Sequence, residues 1–83
     1  MNVSINHPTS KVNFTEVMVG TLTIWFSYQT PIAFHDDDGF TIRENDWGPT
    51  TGKHLNDVHP DKGRRIPGTE FESRLDSVLG RVH

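Results

Sequence analysis

The run Thr21-Leu22-Thr23-Ile24-Trp25-Phe26-Ser27-Tyr28 constrains this chain more than any other stretch. In an extended strand, Leu22, Ile24, Phe26 and Tyr28 fall on one face, and Thr21, Thr23, Trp25 and Ser27 on the other. β-branched and aromatic residues fill both faces, which suits a pleated surface packed against other layers. A lone strand or hairpin is marginal in water, so this one must find partners. They lie close by in sequence. Val12 and Phe14 alternate with Lys11, Asn13 and Thr15, and Val17, Met18 and Val19 continue that strand up to a turn at Gly20. Beyond the bend Gln29-Thr30-Pro31, the segment Ile32-Ala33-Phe34 forms a third strand. Asp38-Gly39 is a hairpin turn, and Phe40 and Ile42 carry the fourth strand. The expected fold is α+β: a small antiparallel β-meander of three to four strands with one short helix and one C-terminal amphipathic helix.

The short helix follows from Asn45 to Gly52, a polar stretch around Trp47, with Thr50 or Thr51 as cap and a run to about Val58 before His59-Pro60 stops it. The second helix, at about 69–79, has a capping box in Thr69-Glu70-Phe71-Glu72. Phe71, Leu75, Val78 and Leu79 share one of its faces. Gly80 fits its end. Residues 1–10 read as a flexible or edge segment.

With 83 residues, the chain falls below the ~100–200 of a typical domain, so 1–83 is expected to be a single domain. Only 33% of its residues are hydrophobic, and a chain this small buries only about 60% of its unfolded surface. Oligomerisation or a bound ligand is therefore expected to supply the missing burial. There is no cysteine, which removes disulfides, thiolate metal sites and a cysteine nucleophile. No apolar run approaches the ~18 residues of a membrane span, and no membrane partner is expected. The start lacks the basic and apolar regions of a signal peptide, so a cytoplasmic protein is expected. Eight Lys and Arg against eleven Asp and Glu give a net charge of −3. That balance argues against coating nucleic acid by bulk attraction.

Several motifs come close to known chemistry and fall short. Gly48-Pro49-Thr50-Thr51-Gly52-Lys53 has three residues between its glycines, and His54 follows the Lys. A phosphate loop needs four there, and Ser or Thr after the Lys. What survives is an anion held by backbone N–H groups at the helix start, with Lys53 beside them; a plain capped turn is the alternative. His35-Asp36-Asp37-Asp38-Gly39 is a solvated turn rather than a calcium loop, since the twelfth position from Asp36 is Trp47, where Glu is required. His54 and His59 lie five apart and read as surface histidines. No nucleophile elbow occurs. Lys62-Gly63-Arg64-Arg65 is the one basic cluster, and with Arg43, Lys53 and a stacking Trp it suits phosphate or a nucleotide.

Two stretches carry a resemblance. Leu22 to Phe34 reads Leu-Thr-Ile-Trp-Phe-Ser-Tyr-Gln-Thr-Pro-Ile-Ala-Phe, and Arg43 to Asn56 contains Glu44-Asn45-Asp46-Trp47 and Thr50-Thr51-Gly52-Lys53-His54-Leu55. This pattern resembles a family of small uncharacterised domains of phages and archaeal viruses over about residues 20–58. Residues 59–83 lie outside it. The resemblance implies a viral origin, and it implies that Trp47 plugs the sheet with the Thr-Thr-Gly-Lys-His loop packed over it.

The expected function is that of a non-enzymatic viral accessory protein, active in the host cytoplasm as a homo-oligomer. Its partner is a host protein or a small phosphorylated or nucleotide signalling molecule, with inhibition of host defence as the outcome. The alternative is a small nucleic-acid-binding module. Candidate ligand residues are Arg43, Trp47, Thr50, Thr51, Gly52, Lys53, His54, Lys62, Arg64 and Arg65. No catalytic residue, cofactor or metal is expected.

Overall fold

The computed structural model describes residues 3–6 and 13–80. Strands β1 (Val3–Asn6), β2 (Phe14–Val19), β3 (Leu22–Ser27), β4 (Thr30–Asp36) and β5 (Gly39–Arg43) are followed by helix α1 (Pro49–Val58). A 3₁₀ turn (Lys62–Arg64), strand β6 (Arg65–Ile66) and helix α2 (Gly68–Leu79) complete the order. The six strands form one sheet in the order β1-β2-β3-β4-β5-β6. The first four pairings are antiparallel and the last, β5 with β6, is parallel.

This corrects the expectation of an antiparallel meander of three to four strands. β1 adds to the edge by pairing Val3 with Val19 and Ile5 with Val17. β6 adds at the other edge because α1 carries the chain across the sheet and returns it alongside β5, the topology that parallel pairing requires. A two-residue strand placed by such a crossover leaves no local pattern to read.

The sheet is covered on both faces. Leu22, Ile24 and Phe34 pack with Phe71, Leu75 and Val78 of α2. On the opposite face Phe14, Ile32, Ala33 and Ile42 pack with Leu55 of α1. Strict alternation along β4 would send Ile32 and Phe34 to the same side. A bulge intervenes: Trp25 pairs with Ala33 but Phe26 pairs with Pro31, so Ile32 is the extra residue. An extra residue breaks the alternation of period two, and Ile32 joins Ala33 under α1. Each helix thus receives a full apolar floor from a sheet of low overall hydrophobicity.

Three local details depart from expectation. α1 begins at Pro49 with Gly48 as its N-cap, and no side chain caps it. α2 begins at Gly68 behind Pro67, with no side-chain cap bond, so the Thr69–Glu72 box does not close. Leu79 is 43% exposed and lies outside the core.

Candidate functional site

The end of the β3–β4 hairpin and the start of α1 meet on one side of the sheet. Ser27 pairs with Thr30, leaving Tyr28 and Gln29 as a two-residue loop. Tyr28 sits at φ +57°, in the left-handed region. That conformation costs a side-chain-bearing residue about 1–2 kcal/mol. It is held by the Tyr28 N–H, which donates to the Asn13 carbonyl at 2.7 Å, and Asn13 is itself left-handed at φ +64°. The Tyr28 side chain is 53% exposed. It therefore lies outside the apolar face to which the strand alternation assigned it.

Trp47 stands across from Tyr28. Its N–H donates to Asn45 Oδ1 at 2.9 Å, and Asn45 Nδ2 donates to the Gly48 carbonyl at 3.3 Å. The Arg43 guanidinium lies 4.4 Å from the centre of the Trp47 ring, a cation–π stack. The same guanidinium is tied to Asp46 at 2.7 Å and Glu72 at 3.5 Å, and only 5% of Arg43 is exposed. Trp47 is 46% exposed, so it does not plug the sheet. It is a surface ring standing on a buried, neutralised cation.

Between the two rings runs a groove of about 240 Å³ lined by Tyr28, Trp47, Gly48, Pro49, Thr50 and Thr51. A second hollow of about 500 Å³, with Asn13, Thr15, Gln29 and Thr30 in its walls, shares Tyr28. Tyr28 is thus the ridge between two concavities.

Beneath the groove is a buried polar cluster. Ser27 Oγ lies 2.7 Å from His54 Nδ1 and 3.0 Å from Thr51 Oγ1. The His54 ring stacks on Phe14, with centroids 4.9 Å apart and planes 9° from parallel. Ser27, Thr51 and His54 are all buried, so the cluster bolts α1 to the last residue of β3. His54 is therefore an interior residue and not the surface histidine expected. A Ser–His contact invites comparison with a hydrolase. Here Ser27 is 2% and His54 1% exposed, so the pair is enclosed between α1 and the sheet.

The predicted site residues separate into three places. Trp47, Thr50 and Thr51 line the groove, and Lys53 is exposed one turn along α1. Arg43 and His54 support it from below. Gly52 is in the first turn of α1, where its N–H closes on the Gly48 carbonyl at 3.3 Å, so that donor is committed to the helix. Lys62 is exposed in the 3₁₀ turn. Arg64 rests over Phe40 at 5.5 Å. Arg65 donates to Asn56 Oδ1 at 2.9 Å. Arg43 and Arg65 do not converge, since Arg43 is enclosed on the α2 side by Asp46 and Glu72 while Arg65 reaches α1. Trp25 is also engaged, donating to Glu16 at 2.9 Å and meeting Phe40 edge-on.

Sequence reasoning missed Ser27, Tyr28 and Asn45 as site residues. The contact of Ser27 with His54 spans 27 positions and leaves no mark in the local pattern. Among the described residues, no group of three or more His, Asp or Glu is placed to hold a metal, and no helix is long and apolar enough to cross a membrane.

A model of a family of unknown function (DUF8033) matches residues 3–73, and the chain belongs to that family. The match is wider than the 20–58 of the motif resemblance, and it takes in β1 and the basic turn at 62–65. No curated protein and no solved structure matches the chain.

Proposed function

We propose that this member of the DUF8033 family is a non-enzymatic binding protein whose ligand is a small anionic molecule with a flat ring, of nucleotide type. The observation that carries this reading is the pair of half-exposed aromatics, Tyr28 and Trp47, that flank a single groove. Solvent-exposed rings held in fixed positions are stacking platforms, and stacking on one is worth about 1–3 kcal/mol per base. Backbone strain at Tyr28 supports the reading, because strained residues concentrate at sites of function. Lys53, exposed on the same helix, supplies a cation within a turn of the groove.

The burial of Ser27 and His54 favours binding over catalysis. Arg43 is enclosed by Asp46 and Glu72, apart from Arg65 on the α1 side, which makes a nucleic-acid track the weaker alternative, since a strand-binding groove needs its cations in a row. The motif resemblance favours a viral origin. In that setting the protein acts in the host cytoplasm as an accessory factor that sequesters a signalling nucleotide and so blunts host defence.

The test is native mass spectrometry of protein purified at low salt, followed by titration of a nucleotide panel against Trp emission in a Trp25→Phe background, where Trp47 is the sole reporter. Retained mass in the nucleotide range and saturable quenching are expected, with Kd from about micromolar to millimolar. Lys53→Ala should weaken binding while leaving the fold intact. A bare protein whose Trp47 emission responds to no nucleotide refutes the reading.

A further inference from the structure

The two edges of the sheet are built differently. At one edge β6 is two residues long and Pro67 follows it directly. A short strand beside a proline presents almost nothing for another strand to pair with. At the other edge β1 is four residues, Val-Ser-Ile-Asn, with no charge and no proline. Its register with β2 runs without interruption from Val3–Val19 to Asn6–Glu16. β1 is the terminal strand, and among the described residues nothing pairs with its outer side. β1 carries no charge or proline of the kind that blunts an open edge.

The side chains of β1 point the same way. Val3 is 60% and Ile5 65% exposed, the two most exposed large apolar side chains among the described residues. Through the register they stand beside Val19 and Val17, which in turn pair with Leu22 and Ile24 on the α2 face. They extend that apolar face sideways, beyond the reach of α2.

We infer that β1 is the seam of a homodimer, in which two copies pair their β1 strands antiparallel about a two-fold axis and join two six-stranded sheets into one. The partner is a second copy because the strand is complementary to itself. A two-fold axis perpendicular to the sheet keeps the α2 faces of both copies on one side. Residues opposite one another across an antiparallel seam share a face, so the allowed registers pair residues of like parity. The register centred on Ser4 places Val3 against Ile5 of the partner subunit twice over and Ser4 against its own symmetry mate. It joins both exposed apolar pairs into one strip, and no charge opposes it. This inference is independent of the ligand groove, which lies at the far end of β3 and on α1.

The chain contains no cysteine, which makes the register directly testable. Ser4→Cys places one thiol per copy at the axis, where directly opposed Cβ atoms come within about 4.5–5.5 Å. Mild oxidation of this variant should give a covalent dimer on a non-reducing gel, whereas Val3→Cys and Ile5→Cys alone should cross-link poorly. Mixing those two should restore the cross-link. By sedimentation, the unmodified chain should run as a dimer at micromolar concentration. Ile5→Lys, at a site already exposed, should fold with an unchanged circular dichroism spectrum and sediment as a monomer. A chain that stays monomeric at every concentration overturns the inference. So does a dimer that survives Ile5→Lys, or one in which Ser4→Cys fails to cross-link.

Discussion

Replacing Ser27 by Ala removes one oxygen, and the structure sets what that oxygen is worth. Ser27 Oγ bonds His54 Nδ1 at 2.7 Å and Thr51 Oγ1 at 3.0 Å, with all three residues buried. A typical intramolecular hydrogen bond contributes about 0.5–1.5 kcal/mol net, and a partner stripped of its bond in a dry site adds to that loss. Two such bonds give a total of about 2–3 kcal/mol. At ~0.05–0.15 kcal/mol per residue, the whole chain holds only about 4–12 kcal/mol. A single oxygen thus carries about a quarter to two-fifths of a mid-range stability. With a urea m-value of about 1 kcal/mol per molar, the midpoint should fall by about 2–3 M. Urea melts followed by circular dichroism measure this, and Thr51→Val, which removes only the longer bond, should lower the midpoint by about half as much. Combining Ser27→Ala with His54→Phe, which keeps a ring on Phe14, should cost less than the sum of the singles by about 1 kcal/mol or more. A Ser27→Ala loss under ~0.5 kcal/mol, or strict additivity with His54→Phe, refutes the argument that this cluster fastens α1 to the sheet.

Four further outcomes are expected. Gly68→Ala puts a methyl group into the Arg43 guanidinium and 3.0 Å from Asp46 Oδ2; displacing a buried, paired cation should cost about 3 kcal/mol and shift Trp47 emission, both read in one melt. Trp47→Ala should cost only about 1–2 kcal/mol by urea melt, well under the figure for a buried Trp, because 46% of the residue is already in water. Tyr28→Gly relieves the left-handed strain at φ +57°, and should leave the melting midpoint unchanged or raised, by up to about 1 kcal/mol, while abolishing the quenching of Trp47 by ligand. Gly39→Ala, at φ +125°, should cost about 1–3 kcal/mol by thermal melt, since side-chain-bearing residues avoid that region.

What could be read from the sequence was whatever depends on neighbours in the chain. β3 falls where its alternation of period two placed it, and Gly20 and Gly39 turn the chain with positive φ. α1 stops at Val58 because His59-Pro60 follows. Everything that depends on distant residues was hidden. β6 is a strand only because α1 delivers it to β5. Ile32 changes face only because β4 bulges against β3. Arg43 reads as a free cation until Asp46, Glu72 and Phe71 close around it. The site was legible in part: the Trp47 and Thr50-Thr51 segment was in view, while its other wall, Tyr28, was counted among the core residues by alternation.

The parallel joint between β5 and β6 also sets an order of assembly. The pairings from β1 to β5 are each between consecutive strands, so each closes a short stretch of chain and forms readily. β6 reaches its place only across the loop and helix that separate it from β5, and α2 follows it. Amides of β6, with Glu44 bonded to the Ile66 carbonyl, are therefore expected to exchange with solvent through a partial opening in which the central strands stay closed. Because Arg43 at the base of Trp47 is clamped by Glu72 of α2, that same opening loosens one wall of the groove. A ligand held between the rings would slow amide exchange at a joint it never touches.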